Sequence, residues 1–149
     1  MILRNYRLGF DIGELLIFLI VMAPNIIWFA VPASNDVLRA ESVTPVVDTI
    51  ASVLQVLTVA SLCFVVNRGS NKQCPKSVYV ALVVCIALYY LGWALYYFGL
   101  VSPMVILMLT VSPCAAFIVF AVGRKNLPAI VFASAFAVCH LIFAFVNFM

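Results

Sequence analysis

Charged side chains are the scarcest feature of this sequence, since Asp, Glu, Lys and Arg together make up only 9% of its 149 residues. A soluble domain carries roughly 25% charged and 45–50% apolar residues, whereas 67% of this chain is apolar. A globule of this size could not bury so much apolar surface. The composition therefore excludes a soluble enzyme, a nucleic-acid-binding domain and a disordered chain, and it predicts an integral protein of the lipid bilayer.

Side chains that perform chemistry are also few. The sequence has one histidine, His140, and five cysteines without a Cys-x-x-Cys pair. It has no phosphate-binding glycine pattern and no paired aspartates in its apolar stretches. We therefore expect no disulfide framework, no metal, no cofactor and no enzymatic activity. A Ser112 or Cys114 nucleophile with His140 as its base is geometrically possible, but no nucleophile elbow or oxyanion loop surrounds either residue.

Five apolar stretches are long enough to cross a membrane as helices, which takes about 20 residues each. They lack the alternating polarity of barrel strands. The long block from Val78 to Val122 divides at Gly99, which can end a helix, and at Ser102-Pro103, which can begin one. Thr44 and Ser102, each before a proline, are expected to cap their helices. The sequence predicts one all-α domain over 1–149, a polytopic bundle of five transmembrane helices at about 13–33, 45–66, 77–98, 103–122 and 127–148.

The basic residues predict the orientation of this bundle. Only Arg39 lies in a connection on one side of the predicted helices. The other seven lie on the opposite side: Arg4, Arg7, Arg68, Lys72, Lys76, Arg124 and Lys125. Because Lys and Arg accumulate in cytoplasmic connections, the N-terminus is expected in the cytoplasm and the C-terminus outside. No glycosylation sequon or transit peptide is present, so a bacterial plasma membrane is the simplest location.

Each predicted helix carries a polar residue or a helix breaker at a similar depth, roughly 15–18 Å from the cytoplasmic ends at about 1.5 Å per residue. Polar groups at this depth must face other helices or a wet cavity, because lipid offers no hydrogen-bond partner. They are candidates for a solute site. The candidates in this layer are Asn25, Gln55, Tyr89, Tyr90, Ser112 and His140.

The third helix adds aromatic residues toward its outer end, around Trp93. Such residues anchor helices at the membrane interface. They could also line an entrance that holds a cation or a planar solute by cation–π contact. Trp93 is therefore included among the candidate binding residues.

Two prolines lie inside predicted helices. Pro24 leaves the carbonyl of Ile20 without its helical donor, and Pro113 does the same for Leu109. These carbonyls could bind a ligand or water, or they could be satisfied by a neighbouring helix. Glu14 is a separate candidate at the cytoplasmic edge of the first helix, where we expect a salt bridge to Arg7 or Lys76.

The fifth helix presents a stripe of small residues that includes His140. Small residues mark close helix contacts in membranes, so His140 should face protein and remain neutral. Asn25 and Gln55 lie at matching depths on consecutive helices and are expected to approach each other. The small-residue stripe consists of Ala129, Ala133, Ala137, His140, Ala144 and Asn147.

Two functions are compatible with this layer. The first is binding or translocation of a small solute at the midplane, by a homo-oligomer. The alternative is a non-transporting accessory role, as a regulator, immunity factor or assembly factor that contacts a partner membrane protein through its helices. A transporter should have a cavity that reaches Asn25, Gln55 and His140, whereas an accessory protein should pack this layer dry. Neither function involves nucleic acid.

Overall fold

The computed structural model describes residues 5–69 and 74–149. Within these ranges the fold is five helices, each long and apolar enough to span a membrane, and all the predicted helix ends agree to within three residues. Arg4 and Lys72, two of the cations used to predict the orientation, lie outside the described residues. The helices are α1 (Ile12–Ala30), α2 (Pro45–Phe64), α3 (Lys76–Tyr97), α4 (Pro103–Gly123) and α5 (Leu127–Phe148).

The first helix ends three residues earlier than predicted because of a proline. Val31 is extended, with φ −128° and ψ 104°, as expected for the residue before Pro32, whose ring disfavours a helical conformation there. Ser102 caps α4 by accepting a hydrogen bond from Val105 N at 3.3 Å. The prediction of a Thr44 cap is wrong, because the Thr44 hydroxyl donates to Asp48 Oδ1 at 3.2 Å instead.

A short antiparallel strand pair was not predicted. Strand β1 (Tyr6–Leu8) pairs with β2 (Val65–Asn67), which directly follows α2. Beyond the strands, Gly9 N donates to Phe64 O at 3.0 Å and Asp11 N donates to Cys63 O at 3.1 Å. These bonds satisfy carbonyls that the end of α2 would leave open. The pairing therefore holds the start of α1 against the end of α2.

The fourth helix is the centre of the bundle, with 61% of its most apolar stretch buried. It packs between α3 and α5, and α2 packs mainly on α5. The first helix makes fewer contacts, mostly with α2 and α3. Two glycines allow α3 and α4 to approach closely: a Cβ at Gly92 would lie 3.0 Å from Met108 Cβ, and one at Gly123 would lie 2.7 Å from Val78 Cγ1.

The two ends of the bundle differ in charge. The Arg124 end, where α1, α3 and α5 begin, carries Arg7, Arg68, Lys76, Arg124 and Lys125. The opposite end, named here the Asp36 end, carries Arg39 as its one basic residue among those described. Between the ends the outer faces are apolar, and side chains such as Phe29 and Val56 are 72% and 67% exposed.

Candidate functional site

Asn25 of α1 and Gln55 of α2 meet at the sulfur of Met22. Both side-chain amides donate to Met22 Sδ over 3.6 Å. A thioether is a weak acceptor, and no hydrogen bond joins the two amides directly among the described residues. The two predicted residues are therefore brought together, but through a shared sulfur atom.

The carbonyl that Pro24 frees is satisfied by another helix. The hydroxyl of Tyr90 on α3 donates to Ile20 O at 2.7 Å. For Leu109, the carbonyl freed by Pro113, the described residues supply no side-chain donor. Of the two possibilities for the Ile20 carbonyl, a ligand or a neighbouring helix, the structure has the second.

The aromatic residues of α3 pack on one another around Trp93. The Trp93 ring lies 5.7 to 6.3 Å from four other aromatic rings, and its Nε1 is buried without a partner among the described residues. Tyr89 is 2% exposed, and its hydroxyl lies beside Asn25. The four rings around Trp93 are Trp28, Tyr89, Tyr96 and Tyr97.

Asp36 fixes the connection between α1 and α2 to this aromatic group. Its carboxylate accepts hydrogen bonds from Trp28 Nε1 and from the hydroxyl of Tyr96, each at 2.9 Å, and from Arg39 Nε at 2.9 Å. Burial by itself raises the pKa of Asp36, but these hydrogen bonds outweigh it and lower the pKa below its usual value. Asp36 is thus a structural anchor that the sequence analysis did not single out.

His140 is half-buried on α5 between two phenylalanines of its own helix. Its ring stacks 5.0 Å from Phe136 and 6.1 Å from Phe143, and Asp48 of α2 is the nearby charge. The small-residue stripe does face protein, since its alanines at positions 129, 133 and 144 are at most 1% exposed. At the Asp36 end of the stripe, Asn147 donates to Thr44 Oγ1 at 3.0 Å and fixes α5 to the start of α2.

Ser112 and Cys114 are buried in the central helix. Cys114 packs against Ala51 of α2 and Phe136 of α5. Neither residue makes a hydrogen bond to His140 among the described residues.

A large concave feature lies at the Arg124 end. A cavity of about 960 Å³, named here the vestibule, is lined by β1, β2 and the adjoining ends of α1, α3 and α4. A second cavity, of about 270 Å³, lies at the Asp36 end beside Ser102 and Phe148. Neither cavity is lined by Asn25, Gln55 or His140. The polar side chains that line the vestibule are Arg7, Asp11, Glu14, Asn67, Arg68, Tyr79, Arg124 and Asn126.

An ion cluster forms the inner wall of the vestibule. The Arg124 guanidinium donates through Nε to Glu14 Oε1 at 3.1 Å and through Nη2 to Asp11 Oδ2. Glu14 is only 3% exposed. The prediction that Glu14 pairs with Arg7 or Lys76 is therefore wrong, because the turn after α4 brings Arg124 against the first turn of α1. Burial lowers the pKa of Arg124.

Asn126 holds this turn in place. Its side chain is 1% exposed and donates to Ser61 O and Val65 O, both at 2.9 Å, while its own oxygen caps α5 at Ala129 N. Asn67 of β2 adds a hydrogen bond to Lys125 O at 2.9 Å. Lys125 has a φ of 53°, a left-handed conformation that tight helix connections use. The strand pair thus positions Arg124.

Glu14 has an unsatisfied acceptor. Its Oε2 atom is buried and has no hydrogen-bond partner among the described residues. Two carboxylates share one guanidinium, so the cluster has a formal charge of −1 when both carboxylates are ionised. Cys63 and Cys74 are close enough for Glu14 to act on them electrostatically, and burial is the larger cause of the raised pKa of the Cys74 thiol. In the described part of the chain no group of three His, Cys, Asp or Glu side chains could hold a metal.

The sequence analysis missed Asp11, Arg124 and Asn126. Asp11-x-x-Glu14 has the spacing of a capping box, which places an N-terminal helix cap at Asp11. Asn126, just before Leu127-Pro128, has the composition of another N-cap. Nothing in the sequence indicates that Arg124 contacts α1, because 110 residues separate it from Glu14.

Comparison of the chain with known protein families, with curated proteins and with solved structures finds no match.

Proposed function

We propose that this chain is a multi-pass membrane protein that binds a small polar solute in the vestibule. The observation that carries the proposal is the buried, unpartnered carboxylate oxygen of Glu14 in the wall of a 960 Å³ cavity. Ligand cavities typically occupy about 300–1,000 Å³ and hold a few convergent polar groups. A buried polar atom without a partner is costly, and a bound ligand, a water or an ion can supply the missing partner.

The proposed orientation has the N-terminus in the cytoplasm and the C-terminus outside, in a bacterial plasma membrane. Five described basic residues at the Arg124 end against one at the Asp36 end support it. The vestibule then opens to the cytoplasm. A reporter active only in the cytoplasm should work when fused at Gly69, and one active only outside should work at the C-terminus.

Translocation of the solute through the midplane is part of the same proposal. It requires the helices to separate around Met22 and Tyr90, so that a path for the solute connects the vestibule with the Asp36 end. The first helix is the best candidate to move, because it makes the fewest contacts in the bundle and carries Met22. Since five helices scarcely enclose a pathway, we propose a homo-oligomer that uses exposed apolar faces such as that of Ile26, which is 57% exposed.

The second candidate is the accessory role. One observation favours it. The amides of Asn25 and Gln55 donate to Met22, and the Tyr90 hydroxyl donates to Ile20 O, so these polar groups find their partners within the protein. In this role the vestibule would be a docking site for a cytoplasmic segment of a partner membrane protein. Solute binding by the purified chain alone separates the two functions.

A thermal-shift screen of small polar solutes in uncharged detergent tests the vestibule. Ile17 lines this cavity, whereas Ile26 on the same helix faces outward. Any solute that stabilises the protein should lose its effect in Ile17→Trp, because the indole fills the cavity, and should keep it in the control Ile26→Trp. A shift of equal size in both variants contradicts binding in the vestibule, and a complete absence of stabilising solutes favours the accessory role.

A further inference from the structure

The vestibule has opposite charges at its two depths. Its inner wall holds Glu14, Asp11 and Arg124, whose side chains are 3%, 20% and 12% exposed. Its mouth holds Arg7 of β1 and Arg68, which directly follows β2, and both are exposed. With both carboxylates ionised, the inner cluster has a formal charge of −1, while the two described arginines of the mouth carry two positive charges.

The inner end lacks a hydrogen-bond donor. Arg124 serves Glu14 Oε1 and Asp11 Oδ2, but Glu14 Oε2 receives no bond from the described residues. Inside a protein a carboxylate is stable only when its charge is paired and its lone pairs are satisfied. A positively charged group that carries an N–H would supply both the missing charge and the missing donor. A primary ammonium has both properties, whereas a quaternary ammonium has no N–H.

The mouth lacks an anion. All five acidic residues of the sequence lie in the described part of the chain, and none lies within 4.0 Å of the guanidinium of Arg7 or Arg68. The two arginines are neighbours in the sheet, because Arg7 pairs with Val66 and Arg68 N donates to Asn5 O at 2.8 Å. Guanidinium groups bind carboxylates and phosphates through two parallel hydrogen bonds.

We propose that the vestibule binds a zwitterion, with a primary ammonium at Glu14 and an anionic group at Arg7 and Arg68. This inference rests on the proposed function and specifies its ligand. A simple anion would meet the carboxyl groups of Glu14 and Asp11 at the inner wall. A simple cation would have to pass two guanidinium groups that no carboxylate neutralises. A molecule with both charges matches both ends.

Three probes of one carbon skeleton test the charge requirement: 4-aminobutanoate, n-butylamine and butanoate. Calorimetric titration into the full chain in uncharged maltoside at constant ionic strength should give binding of 4-aminobutanoate at least tenfold tighter than that of either singly charged probe. Equal affinity for n-butylamine and 4-aminobutanoate would overturn the proposal, and so would tighter binding of butanoate.

Two variants assign the charges to their sites. Glu14→Gln should weaken the binding of 4-aminobutanoate at least tenfold. The matched change Glu41→Gln, in the exposed connection near the Asp36 end, should leave this affinity unchanged. Arg68→Gln should weaken the binding of 4-aminobutanoate three- to tenfold without changing the affinity for n-butylamine. Lys76→Gln is the control, because Lys76 does not line the vestibule. Since Arg68 is exposed, this second variant tests the proposal even if Glu14→Gln folds poorly. Unchanged affinity in both variants would overturn the inference.

A primary ammonium joined to an anion occurs both in free zwitterions and in the phosphoethanolamine headgroup of a lipid. Native mass spectrometry of the chain after exposure to mixed phosphatidylethanolamine and phosphatidylcholine vesicles distinguishes these sources. Selective retention of phosphatidylethanolamine, lost in Glu14→Gln, supports the proposal with a lipid as the ligand. Binding of 4-aminobutanoate without lipid selectivity supports it with a soluble ligand.

Failure of the zwitterion inference differs from failure of the proposed function. Suppose that no zwitterion binds, but that an uncharged solute stabilises the wild type and loses this effect in Ile17→Trp. The inference is then overturned, and solute binding in the vestibule stands. If neither zwitterions, lipids nor other solutes bind, both are overturned.

Discussion

The hydroxyl of Tyr90 donates a 2.7 Å hydrogen bond to Ile20 O, the carbonyl that Pro24 leaves without a helical donor. A proline inside a transmembrane helix is tolerated when a neighbouring helix satisfies the freed carbonyl, and here α3 performs this role for α1. The bond occupies an atom that could otherwise have contacted a solute at the midplane. It is also one of few contacts that join α1 and α3.

Tyr90→Phe should lower the free energy of unfolding by about 1 kcal/mol, because it removes one hydrogen bond and leaves Ile20 O unpaired. Unfolding by sodium dodecyl sulfate in mixed micelles measures this loss. In a Pro24→Ala background the loss should shrink, since the backbone N–H restored at position 24 can reach the same carbonyl. An equal loss in both backgrounds would mean that the Tyr90 hydroxyl does not compensate for Pro24.

Met22→Leu should be more damaging than Asn25→Leu or Gln55→Leu alone. The sulfur of Met22 accepts from both amides, so its removal takes the acceptor from two donors, whereas each amide variant removes only one of these donors. Polar contacts within membranes contribute about 0.6 kcal/mol each, and the triple leucine variant should recover much of the loss. The same unfolding measurement applies, with Met104→Leu as the control because Met104 is 67% exposed. Equal effects of Met22→Leu and Met104→Leu would contradict the bridge.

The helices could be predicted from the sequence because they depend on local composition. Apolar length, Ser-Pro steps and glycine breaks placed all five to within three residues. The strand pair could not be predicted, since Tyr6–Leu8 and Val65–Asn67 are too short to have a pattern and pair only because α1 and α2 bring them together. Candidate polar residues could be found by depth, but not their partners: Met22 looked like an ordinary apolar residue.

The vestibule was missed for a related reason. Glu14 was recognised as a membrane-edge carboxylate, and the nearest cations in the expected topology were Arg7 and Lys76. Arg124 pairs with it because Asn126 fixes the α4–α5 turn to the end of α2. This is a tertiary contact between distant segments, and a single sequence holds no pattern that encodes it.

Asp36 should make the stability of the Asp36 end depend on acid pH. Its folded pKa is lower than that of an unfolded chain, so the charged carboxylate contributes stability that is fully present above the unfolded pKa of about 3.9 and is lost as the pH falls through the folded pKa. The difference in unfolding free energy between the wild type and Asp36→Asn should be constant from neutral pH down to about 4 and should shrink below it. Unfolding titrations at several pH values measure this difference.

Glu41→Gln is the control for that titration, because Glu41 is exposed in the same connection and makes no hydrogen bond among the described residues. It should change the unfolding free energy little at any pH. A difference for Asp36→Asn that grows as the pH falls would contradict the role of Asp36 as an ionised acceptor.

Glu14→Gln should separate stability from ligand binding. The amide can still accept from Arg124 Nε, and it replaces one of the two carboxyl groups that share a single guanidinium. An uncharged amide is less costly to bury than a carboxylate, so the unliganded variant should be more stable than the wild type by about 1 kcal/mol. Arg124→Gln should instead lose about 3–5 kcal/mol, since buried Glu14 then loses its ion-pair partner, while Asp11 keeps only its helix-cap hydrogen bonds from Gly13 N and Glu14 N. If Glu14→Gln is more stable than the wild type and binds 4-aminobutanoate more weakly, then Glu14 contributes to ligand binding and lowers the free energy of unfolding. A clear loss of stability in Glu14→Gln with unchanged binding would make Glu14 a structural partner of Arg124 alone.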